Sequence, residues 1–311
     1  MAIAAVAPYS ATWRKRYAKN RYLEFLPVDG LQQRYVDLLD NVLAFGPGGR
    51  PDLGGLSADT GWTRRIADLW AEADLRNLGY TWLRTVEQTL LDRPYPNVKK
   101  ATEAWGVRRF TPDRDIIKYG RCDHMTDLLE RGHLRLTPAS SYDDPSLNQA
   151  IRDAELEFSV FLPPGTRIQV ELEPGSKSFQ DIPGIAGPIK YTKRCDNYYV
   201  FCASATFDPR AFDEFGIDYD ACVVIHDYQK LIDLIKVRPV PARSISAGAT
   251  EYLDPYMPHR AAPSVQLTKH FRFDYQKEWR IFWTDPLPPP PLQPFFVDLG
   301  NLSSFCELIT L

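Results

Sequence analysis

Glu278 and Arg280 stand two residues apart in the stretch Phe271-Arg-Phe-Asp-Tyr-Gln-Lys-Glu-Trp-Arg-Ile-Phe-Trp283. The second half, Trp279 to Trp283, is aromatic and β-branched enough to form a strand, and a strand puts both side chains on one face. A carboxylate at a strand's entrance among aromatic rings is partly desolvated. Such a group holds a proton more tightly or pulls harder on a developing cation. The plainer alternative is an ion pair tying a sheet edge together.

The elements that must position this pair change character along the chain. Before residue 110 the apolar residues fall at helical spacing: Leu31, Tyr35, Leu38, Leu39, Val42 and Leu43 form one stripe, ended by Gly46-Pro-Gly-Gly49. After a Gly/Pro/Ser-rich linker, Gly49 to Gly61, a second helical region runs from Ile66 to Leu90 and stops at Pro94-Tyr-Pro96. Beyond Asp113 short strands are expected at 115–120, 134–137, 158–162, 167–172, 198–207, 221–225, 278–283 and 295–297. The two at 158–162 and 167–172 are read as joined by the turn Pro163-Pro-Gly165. Short helices are expected after Asp123, as N-cap, up to Gly132, and after Asp227. A further helix is expected over Asn148–Phe158, with Asp153, Glu155 and Glu157 mostly outside. Residues 174–197 read as a long loop, 237–262 as irregular, and Pro286–Pro294 as a polyproline segment. The ordering predicts an α+β fold: a helical accessory region over 1–110 and a β-rich domain over 111–311.

Bulk properties narrow the function. Of the 311 residues 44% are hydrophobic and 25% charged, as in soluble globular proteins, and no run approaches the roughly 18 apolar residues of a membrane span. Five cysteines without metal-like spacing, and no basic residue ahead of the apolar N-terminus, point to a reduced, cytoplasmic protein with no zinc site. Residues 1–110 carry 16 Lys and Arg against 12 Asp and Glu, and the remainder 21 against 28, together giving the net charge of −3. The basic and aromatic stretch Trp13–Tyr22, with Arg14, Lys15, Arg16, Lys19 and Arg21, is a candidate nucleic-acid contact; the alternative is a solvated helix face. A Rossmann glycine pattern, a Walker loop, His-Glu-x-x-His and Gly-x-Ser-x-Gly are all absent.

Four segments in order carry a resemblance: Ile117-Lys-Tyr119, Leu134 to Pro145 with Tyr142-Asp-Asp-Pro145, Cys202-Ala-Ser204, and Tyr275-Gln-Lys-Glu-Trp-Arg-Ile281. The set resembles a bacterial family of uncharacterised domains with the pattern Tyr-Lys-Tyr, Phe-Asn-Asp-Pro, Cys-x-Ser and Glu-x-Glu-Trp-Arg. Those domains look like remote relatives of the ADP-ribosyltransferase fold, a split β-sandwich that clamps NAD in a central cleft. The resemblance covers about residues 113–300. Tyr142-Asp143 replaces the family's Phe-Asn, and Gln276 replaces its first glutamate.

The resemblance implies an NAD-dependent ADP-ribosyltransferase, a bacterial toxin or phage-defence effector, acting on a nucleic-acid or protein acceptor. Breaking the nicotinamide–ribose bond builds positive charge on the anomeric carbon, as in glycoside hydrolysis. Glu278 would stabilise that charge and hold the ribose, with Gln276 and Tyr142 beside it. Lys118, Tyr119, Arg121, Asp144, Ser204 and Arg280 would contact NAD, Lys118 or Arg121 neutralising its pyrophosphate. The alternatives are an NAD glycohydrolase using the same cleft, and a non-catalytic protein- or nucleic-acid-binding module on the same fold. Structural roles are the counter-reading for three residues: Tyr142 packing on Pro145, Asp144 capping Ser146, and Lys118 as an exposed strand lysine.

Overall fold

The structure is a computed structural model and describes residues 10–46, 48–54, 61–79, 81–162, 164–182, 187–216, 218–239, 244–257, 264–284 and 291–311. Part of the linker expected over 49–61, Pro163 of the expected turn, and the polyproline segment through residue 290 lie outside the described residues.

The fold is α+β. Helices α1 (Ser10–Tyr17), α2 (Val28–Asp40), α3 (Gly61–Leu75), α4 (Thr81–Leu91) and α5 (Val98–Trp105) precede the main sheet, with the small hairpin β1 (Ala44–Phe45) and β2 (Pro51–Asp52) between α2 and α3. The remaining elements are β3 (Ile116–Gly120), α6 (Cys122–Arg131), β4 (His133–Pro138), β5 (Glu157–Leu162), β6 (Gln169–Glu171), β7 (Phe179–Asp181), β8 (Ile189–Arg194), β9 (Tyr199–Ser204), α7 (Ala211–Glu214), β10 (Ala221–Ile225), α8 (Tyr228–Lys236), β11 (Ser244–Ala249), β12 (Glu251–Leu253), β13 (Thr268–His270), β14 (Glu278–Thr284), β15 (Phe295–Asp298) and β16 (Cys306–Thr310).

The main sheet is antiparallel in the order β11-β14-β9-β3-β10-β16. It forks at β9. One edge of β9 pairs with β14 along its whole length, Glu278 facing Ser204 and Arg280 facing Cys202. The other edge is shared: Ser204 pairs with Ile117 of β3, while Val200 and Tyr199 pair with Thr137 and Pro138 of β4. Strand β4 in turn carries β15.

Each face of the sheet is buried against different partners. Ile116, Phe201, Val223, Trp279, Ile281 and Trp283 pack against Met125 and Leu128 of α6 and Leu231 and Ile235 of α8. A residue such as Ile281, fully buried, contributes about 1.5–3 kcal/mol over the exposed state. The opposite face carries Ile117, Tyr119, Cys222 and Val224 against Ala101 of α5 and Phe212 of α7. The helices α1 to α4 form their own core, which Phe271 joins from the segment just before β14.

Several expectations are corrected. The helix expected over 148–158 does not form. Asn148 bends the chain by accepting the Ala150 and Ile151 N–H groups on its side chain, and a second turn, closed by the Glu157 N–H on the Ala154 carbonyl at 3.1 Å, leads into β5. Glu155, expected outside, is buried. The strands at 158–162 and 169–171 are not hairpin partners: β5 pairs with β8 and β6 with β7, as nested hairpins. The loop expected over 174–197 therefore contains two strands. The region expected to be irregular, 237–262, holds β11, an edge strand of small residues, and β12. Asp123 lies inside the first turn of α6, whose N-cap is Arg121, while Gly132 ends the helix in the left-handed conformation as the sequence suggests.

Candidate functional site

The chain reaches Glu278 through a sharp change of direction. Residues Phe271–Gln276 form a 3₁₀ helix closed by Lys277, a non-glycine residue at φ 44°, ψ 50°. A left-handed conformation costs an L-residue roughly 1–2 kcal/mol. Here Lys277 is fixed by its N–H on the Asp274 carbonyl (3.1 Å), its amine on the Asp274 carboxylate (2.6 Å), and its own carbonyl, which accepts from Ala205 (2.7 Å). The turn aims Gln276 and Glu278 into the interior, where each is only 7% exposed.

Glu278 is held by main chain and side chain. Its N–H donates to the Tyr252 hydroxyl at 2.6 Å. Its Oε2 accepts from Lys269 Nζ and Arg280 Nη2, both at 3.1 Å. Arg280, fully buried, grips Glu155 with both terminal nitrogens (2.8 and 2.7 Å) and donates to the Gln266 carbonyl at 2.8 Å. Lys269 Nζ also lies 3.7 Å from Glu155 and 3.4 Å from the Gln276 Oε1. Two buried carboxylates thus alternate with two buried cations. Burial alone would raise the Glu278 pKa; Arg280 and Lys269 outweigh it, and the Cys202 thiol adds a hydrogen bond, so the carboxyl stays well below its usual range. The same pairing outweighs burial at Lys269 and holds its ammonium above the ordinary value.

Glu278, Lys269 and Gln276 border a cavity of ≈100 Å³, together with Ser204, Cys202 and Tyr142. It adjoins a groove of ≈710 Å³ in the fork of the sheet; Lys118, Tyr142, Cys202, Ile151 and Tyr219 line both. Groove volumes of about 300–1,000 Å³ are those of small-molecule sites. At the fork, residues 201–203 of β9 have no strand partner on that edge among the described residues, and Lys118 Nζ donates to the Cys202 carbonyl there at 2.8 Å. Burial pulls the Lys118 ammonium below its ordinary value; Glu278 opposes that and the Arg135 charge adds to it. Arg131 and Arg121, also on the groove, are tied to Asp127 and Asp123. Neither Lys118 nor Arg135 has a carboxylate partner among the contacts of the described residues.

Of the residues singled out in the sequence, Glu278, Gln276, Arg280, Ser204, Tyr142 and Lys118 come together. Arg280 shares a face with Glu278, as the spacing of two suggests, but reaches the cavity only through Glu278. Lys118 is not an exposed strand lysine. Tyr119 borders the cavity, yet its hydroxyl is occupied by the Asp208 backbone (3.0 and 3.3 Å) and its ring packs on Phe212 and Phe215. Arg121 is half-exposed in ion pairs with Asp123 (3.2 Å) and Asp218 (4.0 Å). Asp144 is exposed and caps Ser146 at 2.8 Å, outside both cavities.

The basic N-terminal stretch is largely neutralised within the fold. Arg14 pairs with Asp74 and Arg16 with Asp68, while Arg21 and Tyr17 bind Glu72, all on α3. Lys15 and Lys19 are exposed.

Sequence reasoning missed Lys269, Glu155, Tyr252 and Arg135. Lys269 and Tyr252 lie on short segments without periodicity, Glu155 was placed on the outer face of a helix that does not form, and Arg135 was visible as the polar member of the alternating Leu134-Arg-Leu-Thr137. Among the described residues no group of three or more His, Cys, Asp or Glu is arranged to hold a metal ion, and no helix is long and apolar enough to cross a membrane. No protein-family model, no curated protein and no solved structure matches the chain.

Proposed function

We propose that the chain is an ADP-ribosyltransferase of the split-sandwich kind that cleaves NAD at Glu278. One observation carries the reading. A buried carboxylate, kept ionised by two cations, faces a cavity that continues into a groove with two cations lacking carboxylate partners. An anion in the groove would relieve the repulsion between Lys118 and Arg135, which the NAD pyrophosphate does.

In this reading the dinucleotide lies along the fork, its phosphates on Lys118 and Arg135 and its nicotinamide end toward Glu278. Tyr142 offers a ring for stacking. The bond between the anomeric carbon and the nicotinamide nitrogen breaks, and its electron pair leaves with nicotinamide. Glu278 accepts a hydrogen bond from the ribose 2′-hydroxyl and opposes the positive charge left on the sugar. The acceptor then bonds to the anomeric carbon and its proton passes to solvent water.

Hydrolysis is the second reading, and Gln276 favours it. Its amide nitrogen donates to the Ala150 carbonyl at 2.7 Å and its oxygen faces Lys269, so neither end is free to orient an acceptor. The inner cavity of ≈100 Å³ is large enough to hold water. Nicotinamide release from NAD, followed by the fate of the ADP-ribose with and without protein, RNA and DNA acceptors, separates the two readings.

A further inference from the structure

Strands β12 and β13 form a two-stranded parallel ribbon outside the main sheet, and their register places Tyr252 beside Lys269. Both members of that register pair converge on one residue. The Tyr252 hydroxyl accepts the Glu278 N–H (2.6 Å), and the Lys269 ammonium binds the Glu278 carboxylate (3.1 Å). The ribbon therefore holds the main chain and the side chain of Glu278 at once.

Lys269 is 4% exposed, with its ammonium over the Phe273 ring at 4.5 Å. A lysine so placed is costly unless paired, and removing one partner of a buried ion pair exposes the other to the full desolvation penalty. Arg280 already shares its Nη2 between Glu278 (3.1 Å) and Glu155 (2.8 Å), and its Nη1 goes to Glu155 and Gln266, so it has no further terminal nitrogen to take over the contact that Lys269 makes.

We infer that Lys269, seated by Tyr252 and the ribbon, is the positioning residue of the site: it fixes the Glu278 carboxylate at the cavity and supplies half of its counter-charge. The inference rests on Glu278 being the working carboxylate, but its physical content can be read without NAD. The groups facing Glu278 are Arg280 on its own strand, Lys269 on β13, Cys202 on β9 and Tyr252 on β12. Lys118 on β3, Tyr142 after β4, and Glu155 before β5 complete its electrostatic surroundings.

The test is a carbon-13 carboxyl titration of labelled glutamates by NMR, with the Glu278 signal assigned by its loss in Glu278→Gln, alongside the pH profile of nicotinamide release. In the wild type the Glu278 signal stays ionised down to pH 4. In Lys269→Met, and in Lys269→Gln should the methionine variant not fold, its midpoint rises into the titrated range above pH 4. The rate of nicotinamide release falls by about tenfold or more, since a misplaced carboxylate loses its alignment with the reacting carbon. Lys269→Arg restores both. An unmoved Glu278 midpoint in a folded Lys269→Met or Lys269→Gln variant overturns the inference. A shifted midpoint in a protein that never releases nicotinamide keeps the positioning role and removes NAD cleavage instead.

Discussion

Glu155 and Arg280 are 125 positions apart in the chain and meet in a two-pronged contact, 2.8 and 2.7 Å, with neither residue more than 5% exposed. This pair joins the segment ahead of β5 to the strand that carries Glu278. A guanidinium suits the place because its planar fork matches a carboxylate while a third contact goes to the Gln266 carbonyl. Arg280→Met is expected to cost about 3–5 kcal/mol in chemical denaturation, since Glu155 and Glu278 are then buried with one cation between them. Arg280→Lys should recover less than half of that loss. A near-neutral Arg280→Met would show that the contact is replaceable by packing alone.

Asp153 adds a pH dependence to the same cluster. Burial and the neighbouring Glu155 push its carboxyl up to about 6, although Lys269, Arg272 and Arg280 pull the other way. A raised carboxyl binds its proton more tightly in the folded state, so its stabilising share is full below the ordinary aspartate value and is lost as the pH rises through about 6. Asp153→Asn should therefore raise the melting temperature at pH 8 and leave it unchanged near pH 3.5. An equal effect at both pH values would contradict the shift.

The helical layer reaches the site through Asn41. Its side chain donates to the Phe271 carbonyl at 2.9 Å and accepts the Tyr275 N–H at 2.8 Å, spanning the 3₁₀ helix that delivers Gln276 and Glu278. Asn41→Ala leaves both backbone groups without that partner, at a cost of about 1–3 kcal/mol. Nicotinamide release is expected to fall further than a surface variant of equal stability loss. Matching rates in the two variants would make the contact purely structural.

The groove cations should act on NAD affinity. Lys118→Met and Arg135→Met are each expected to raise the KM for NAD about tenfold with a smaller change in kcat, as for lost phosphate contacts. The salt dependence of KM should flatten in both, because fewer charges remain to be screened. A KM and a salt slope equal to the wild type's in Arg135→Met would remove that residue from the ligand's path.

What the sequence made legible was local. Trp279 to Trp283 has the composition of a buried strand, and spacing alone put Arg280 on the face of Glu278. Asp227 reads as a helix cap, and it does accept the Lys230 N–H at 3.0 Å. The illegible parts are long-range. Lys269 sits on a three-residue strand whose partner is parallel, and Glu155 lies where a polar, helix-like spacing gives way to a bend made by Asn148. Ser244–Ala249, with only Ile245 as a large apolar residue, forms the edge of the main sheet because β14 offers it a ladder, not because its own residues favour a strand. The arginines at the N-terminus looked like a free basic face; their carboxylate partners on α3 lie about fifty positions away.

The most direct test of the central claim is nicotinamide release from NAD by the purified chain, alone and with protein, RNA or DNA acceptors, beside Glu278→Gln. Wild-type release that drops about 10²–10³-fold in the variant, with the variant's fold checked by its melting curve, is the predicted result. No release by the folded wild type under any of these conditions, or equal release by wild type and variant, would contradict it.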